Sequence, residues 1–270
     1  MIKAKKLSIG KIGENTLNED AAHIGDSFMA VSDGAGGGGL FAEKWSQYLL
    51  QHLPNQPITT ADELDSWVDG IWQPFYDECE VSAKNLGGLT LQKFYDEGSF
   101  ATLAAVWQVS DTQFKWLTYG DSVVFHYRKD TDILEYSISG LTAFNDAPFL
   151  INFLDKINPQ GVTTGSFEIC GDSVLIVATD ALSHYILMMY MLSHKDLYAN
   201  ELQRAIKSAT KNSNFILAAS SLTKIDFYTD VIKKLFLSDY NLKRHLSKLY
   251  KDGLLALDDY TVLVATRKTV

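Results

Sequence analysis

Only two cysteines stand in the 270 residues, Cys79 and Cys170. They are far apart and form no zinc-type pair, which excludes a thiolate metal centre and a disulfide scaffold. So few thiols fit a reducing compartment; both read as buried core thiols, and the cytoplasm is the expected address. Positive charge is short as well: 24 Lys and Arg face 33 Asp and Glu, a net charge of −9. A nucleic-acid binder needs a basic face to replace the counterions along phosphates, so that partner class is not expected. Long uncharged apolar runs are missing, as is a basic-then-apolar leader, so neither a membrane partner nor a signal-peptide route is expected. The five prolines are scattered, and there is no repeat, low-complexity tract or Pro/Ser-rich linker. Nothing marks a place to divide the chain, and residues 1–270 read as one domain, long enough to bury a substantial core.

What is present is a change of hydrophobic period along the chain. After strand-like pieces at the start, Phe28-Met29-Ala30-Val31 is a short apolar run that stops at Ser32-Asp33-Gly34. A helix is predicted from near Phe41, with Trp45, Leu49, Leu50 and Leu53 on one face. Thr60-Ala61-Asp62-Glu63 fits a capping box. Leu64, Trp67, Val68, Ile71, Trp72 and Phe75 carry a second helix that Pro74 should kink or interrupt. Ser99 to Val109, Phe114 to Tyr119 and Val123 to Arg128 then read as consecutive antiparallel strands, a meander. Gly140 to Thr164 lacks a period and reads as a long loop of the kind that borders function. Ser173 to Ala178 is a further strand, Ser183 to Tyr250 is mostly helical, and Thr261 to Ala265 is a last strand. Tyr185, Met188, Met189 and Leu192 read as core. The element mix is α+β, not a βαβ series.

Acidic residues recur at the ends of these apolar strands: Asp20 after Asn18-Glu19, Asp33 after Ser32, Asp121 after Gly120, Asp180 after Thr179, and Asp258 before Thr261. A single such Asp is usually a turn residue or a helix cap. Five at one rim would repel one another unless cations lay between them. Hard divalent ions, Mg²⁺ or Mn²⁺, suit an all-oxygen ligand set, and two of them can share a water aimed at phosphorus. The glycine cluster invites a competing dinucleotide reading, since Gly34-x-Gly36-x-x-Gly39 follows a strand and precedes a helix. The next element is another helix rather than a parallel strand, which counts against that reading. A flexible turn that lets the backbone approach an ion, with the Gly34 carbonyl as the ligand atom, is the expectation instead.

Six segments taken in order, Asn18-Glu19-Asp20, Ala30-Val31-Ser32-Asp33-Gly34-Ala35-Gly36-Gly37, Gly98-Ser99-Phe100-Ala101-Thr102, Tyr119-Gly120-Asp121-Ser122, Val177-Ala178-Thr179-Asp180-Ala181-Leu182 and Asp258-Asp259-Tyr260-Thr261, resemble the motifs of the type 2C metal-dependent protein serine/threonine phosphatases, in a bacterial-like version. The resemblance implies an α-β-β-α sandwich, two packed antiparallel sheets flanked by helix pairs. It implies a Mn²⁺ or Mg²⁺ pair bridged by Asp33, with the Gly34 carbonyl, Asp180, Asp258 and Glu19 as ligands. Asp20 would support metal-bound water as a catalytic residue beside Asp33. Asp121 would serve a third, weaker ion. The reaction implied is hydrolysis of phosphoserine or phosphothreonine in phosphoprotein substrates by a hydroxide bridging the two ions. The loop from Gly140 to about Thr164 would be the flap beside the substrate cleft.

Three departures stand out. The Arg that the family often places before its first motif, to grip phosphate, is Asn15 here, and no Arg precedes Arg128. A lysine such as Lys11 would supply a point charge, not a bidentate fork. His184 stands where the family has an Asp, and a surface position is expected for it. Phe100 replaces a small Thr, which reads as packing. The missing Arg motivates an alternative, a weakly active or inactive phosphatase-like binding module.

Overall fold

The computed structural model describes residues 2–37, 39–169 and 171–267, so Gly38 of the glycine cluster and Cys170 lie outside the described residues. Period-2 alternation builds the sheets. In β3 (Phe28–Ser32) Phe28 and Ala30 face one core, and Met29 and Val31 face another. In β11 (Ser173–Ala178) Val174, Ile176 and Ala178 point one way, and Leu175 and Val177 the other. Strands with both faces apolar need cover on both sides, and that demand produces four layers.

One sheet joins β1 (Ile2–Ile9), β12 (Tyr260–Arg267), β11, β7 (Val123–Arg128) and β8 (Ile133–Tyr136), in that order. The other joins β10 (Val162–Glu168), β6 (Gln113–Tyr119), β5 (Leu103–Gln108), β3 and β2 (Ala21–Ile24). Every pairing is antiparallel. A two-stranded ribbon pairs β4 (Phe100–Ala101) with β9 (Ile151–Asn152). Between the sheets lie Met29, Val31, Val106, Trp116, Val124, Leu175, Val177 and Leu263.

The helices α1 (Ala42–Gln51), α2 (Ala61–Leu86) and α3 (Gly88–Glu97) cover one outer face, with Trp45, Leu49, Leu64, Val68, Phe75 and Phe94 in a shared core. The other face carries α4 (Asp180–Ser193), and Ala181 through Leu192 are all buried along it. A helix apolar all round needs cover on its far side too. α5 (Lys195–Lys207), α6 (Lys211–Ser220), a π-turn at Tyr228–Ile232 leading into α7 (Lys233–Leu235), and α8 (Asp239–Lys251) supply buried residues to that same core. The four-layer α-β-β-α order is the one expected, and Tyr185, Met188, Met189 and Leu192 are core residues.

Four expectations are corrected. The predicted meander does not form: β6 pairs with β5 and β10, whereas β7 joins the other sheet beside β8 and β11. The crossing runs through Gly120 at φ 102°, where a Cβ would meet Thr102 Cγ2 at 2.7 Å and the Phe149 carbonyl at 2.9 Å. Pro74 does not interrupt α2, which runs unbroken through it. Pro74 and Gly70, whose carbonyl loses its helical partner, are both exposed, so water can take that bond. The 140–164 segment is not featureless: it holds 3₁₀ turns at Leu141–Asn145 and Pro159–Gly161, strand β9 and the start of β10. The capping box is half made. Thr60 Oγ1 accepts from the Glu63 amide at 3.2 Å, but Glu63 Oε2 takes its 2.7 Å bond from the Thr59 amide.

Candidate active site

Antiparallel register decides which strand ends meet. Ala21 pairs with Ser32, so the start of β2, after Glu19 and Asp20, lies beside the end of β3, before Asp33. Ala178 pairs with both Val123 and Val262, so the end of β11, the start of β7 and the start of β12 share one edge. Asp180, Asp121 and Asp258 follow or precede those residues directly or within a few positions. The β6–β7 crossing carries Asp121 between the two sheets, which joins both sets at one end of the sandwich.

Burial is the largest cause that raises Glu19, Asp20, Asp33, Asp121 and Asp180 there. Asp33 is raised well above its ordinary value by desolvation, then by Asp20, Asp180, Asp121 and Asp258. Asp180 is raised in the same way by burial, then by Asp121, Asp258 and Asp20. Asp20, 5% exposed, rises to about 7 through burial, although Thr179 Oγ1 donates to its Oδ2 at 2.9 Å and opposes the shift. Asp121 rises to about 6, again chiefly by burial. Glu19 is raised by burial, against the pull of Lys11 and the Gly36 amide. The backbone at Asp33 is fixed by a ladder: its amide donates to Thr102 Oγ1 at 3.1 Å, and its carbonyl accepts from the Thr102 amide at 2.8 Å.

This donor set is all oxygen and mutually repulsive, which suits Mg²⁺ or Mn²⁺ and no softer ion. Among the described residues, no three His, Cys, Asp or Glu side chains close around a single point. Gly34 is buried and bridges Ala101, and a Cβ there would meet the Glu19 carbonyl at 2.6 Å and the Ala42 carbonyl at 2.7 Å. Its glycine is therefore demanded by close backbone packing, which corrects the expected flexible turn. A cleft of about 470 Å³ adjoins Asp121, with Thr118, Ser137, Thr163 and, from the 140–164 segment, Asp146 and Phe149 in its wall.

Solved structures share this architecture. Stp1, a serine/threonine phosphatase from Staphylococcus aureus, is 14% identical at a TM-score of 0.57, covering 100% of this chain and 96% of its own. PppA, a key regulatory component of T6SS in Pseudomonas aeruginosa, is 13% identical at 0.55, with 98% of each chain covered. The catalytic domain of the serine threonine protein phosphatase PstP, in complex with two manganese ions, is 14% identical at 0.54, covering 98% of this chain and 97% of its own. The fold is that of the type 2C phosphatases. No family model and no curated protein matches the sequence.

Within the type 2C fold, the departures take definite places. Asn15 is exposed on the segment before β2. His184 is not on the surface: it is 6% exposed, set edge-on to Phe144 at 5.4 Å and Phe215 at 6.0 Å, and burial lowers it to about 4. Its α4 is buried all round, so no position in the middle of that helix reaches water. Phe100 is half-buried against Gly39, in keeping with a packing role.

Two positions that hold the acidic residues in place escaped sequence reasoning. Asp259 is 4% exposed and accepts the Lys11 amide at 2.9 Å and the Glu19 amide at 2.8 Å, which holds Glu19 in place. Thr179 links Asp20 to β12 by accepting the Thr261 amide at 3.2 Å. The Asp258-Asp259 doublet was visible; which Asp turned inward was not.

The raised carboxylates have a stability consequence. In the folded metal-free chain Asp20 and Asp121 hold protons to about 7 and about 6, against 3.8 unfolded. Between those values the folded state binds more protons, so stability falls as pH rises. Melting in chelator should therefore give a lower transition temperature at pH 8 than at pH 5, and Mn²⁺ should recover part of the loss at pH 8. A flat profile between the two pH values would contradict the clustering.

Proposed function

We propose that this chain is a metal-dependent phosphomonoester hydrolase acting on phosphoserine and phosphothreonine of proteins, with residues 1–270 as one catalytic domain working in the cytoplasm. The observation that carries this reading is the gathering of Asp20, Asp33, Asp121, Asp180 and Asp258 at one end of a type 2C sandwich, with their charges in one another's field and Glu19 beside them on the strand end before β2. Asp33, Asp180, Asp258, Glu19 and the Gly34 carbonyl would hold two Mn²⁺ or Mg²⁺ ions, and Asp121 a weaker third. Bound there, such ions supply an acidified water and neutralise the charge of the phosphate. The manganese-bound PstP domain supports the metal assignment.

The chain's own groups do the rest. Asp20, oriented by Thr179 Oγ1, is the proton acceptor. Thr163, exposed on the cleft wall, offers a hydroxyl to peptide flanking the phosphorylated residue, and Phe149 an apolar wall. Among the described residues no thiol is poised to attack: Cys79, on the buried face of α2, is pushed up to about 12 by burial.

With a phosphothreonine peptide, phosphate release should require Mn²⁺ or Mg²⁺ and stop in chelator. Absence of turnover with either ion, on the peptide and on a small aryl phosphate, would overturn the reading. It would favour instead a phosphatase-like binding module, to which the exposed Asn15 in place of a phosphate-gripping Arg already points.

A further inference from the structure

Lys11 brings a cation to the acid end of the sandwich. Its Nζ stands 3.6 Å from Asp258 Oδ1. Of the ion pairs among the described residues, this one alone includes any of the six acids gathered there. The side chain is not placed by chance. The Lys11 amide donates to Asp259 Oδ1 and the Glu19 amide donates to Asp259 Oδ2, so one buried carboxylate closes the segment 11–19 at both ends. The middle of that segment, Gly13 to Leu17, is exposed, while its first residue is turned to Asp258.

The ion pair contributes little to folding. Lys11 and Asp258 side chains are 30% and 39% exposed, and pairs that wet are weak. Its effect falls on whatever else seeks Asp258. Resting on the hydrolase reading above, we infer that Lys11 is an internal counter-ion that competes with the divalent cation for Asp258 and so sets the metal affinity of this site. A doubly charged ion arriving at Asp258 meets the ammonium at close range; it must either displace Lys11 or bind against its repulsion. Removing the ammonium removes that penalty, whereas moving a remote lysine does not.

Titration calorimetry with Mn²⁺ and no substrate tests this directly. Lys11→Met should bind Mn²⁺ roughly tenfold more tightly than the wild type at low salt, and the gap should narrow at high salt. Lys11→Gln should match Lys11→Met, because the amide bond to Asp259 survives either change. Lys11→Arg, which keeps the charge, and Lys93→Met, which removes a charge from the distant Lys93–Glu97 pair, should bind as the wild type does. If the wild type binds Mn²⁺ and both neutral variants bind equally or more weakly, Lys11 is not a competitor and the inference is overturned. If the wild type binds no Mn²⁺ at all, the hydrolase reading falls and takes this inference with it, an outcome distinct from the first.

Discussion

Asp33→Asn should lower Mn²⁺-dependent phosphate release by about a thousandfold while raising the melting temperature of the metal-free protein. The two effects share one cause. Asp33 is surrounded by Asp20, Asp180, Asp121 and Asp258, and its carboxylate is raised well above its ordinary range. Replacing it by an isosteric amide removes repulsion from the empty site and removes a charge that the reaction needs. The main chain does not depend on that charge. The Asp33 amide and carbonyl are held by Thr102, and Ser32 Oγ donates to the Thr102 carbonyl at 2.7 Å. Activity down with stability up is a pattern that general damage cannot produce. Activity within tenfold of the wild type, or a lowered melting temperature at pH 8 in chelator, would count against Asp33 as the centre of the site.

Trp45→Ala should cost about 4 kcal/mol of folding free energy. The indole is fully buried under α1, 4.7 Å from the Phe75 ring and 5.7 Å from that of Phe153. Its Nε1 donates to the Ile151 carbonyl at 3.0 Å. Truncation opens a cavity and leaves a β9 carbonyl without its partner, so both the packing and the hydrogen bond are lost. For a domain of this size the melting temperature should fall by roughly 10 °C, and chemical denaturation should show the midpoint moving with little change in slope. Ile151 lies in the segment that bears Phe149, and Ala101, its partner in β9–β4, bridges Gly34. The same variant should therefore raise KM for a phosphopeptide more than for a small aryl phosphate. A fall of under 3 °C would mean that α1 is not clamped to the sheet by this ring.

The elements were legible where one residue's surroundings are set by its own neighbours in the chain. Phe28 to Val31, Ser173 to Ala178 and Thr261 to Ala265 read as strands because their apolar runs end at turn-forming residues, and each is a strand. Trp45, Leu49 and Leu50 read as one helix face and are buried together. The β6–β7 connection misled because antiparallel strands in sequence order look alike whether they pair or switch sheets. Gly120 tips the outcome through its backbone, and its neighbours do not announce it. His184 misled for a different reason: a lone histidine is ordinarily a surface residue, and only the outer helices that cover α4 remove it from water.

By itself, the order of the chain determined that carboxylates terminate apolar strands, that glycine follows Asp33, that cations are scarce and that no Arg precedes Arg128. These are properties of composition and local pattern, and folding does not alter them. Tertiary structure alone decided that Asp20, Asp33, Asp121, Asp180 and Asp258 share one field, that Asp259 rather than Asp258 is the buried staple, and that Lys11 faces Asp258. Strand ends meet only through antiparallel register between segments up to hundreds of residues apart. A carboxylate's neighbours in space, and hence its charge state, follow from that register and not from the residues beside it in the chain.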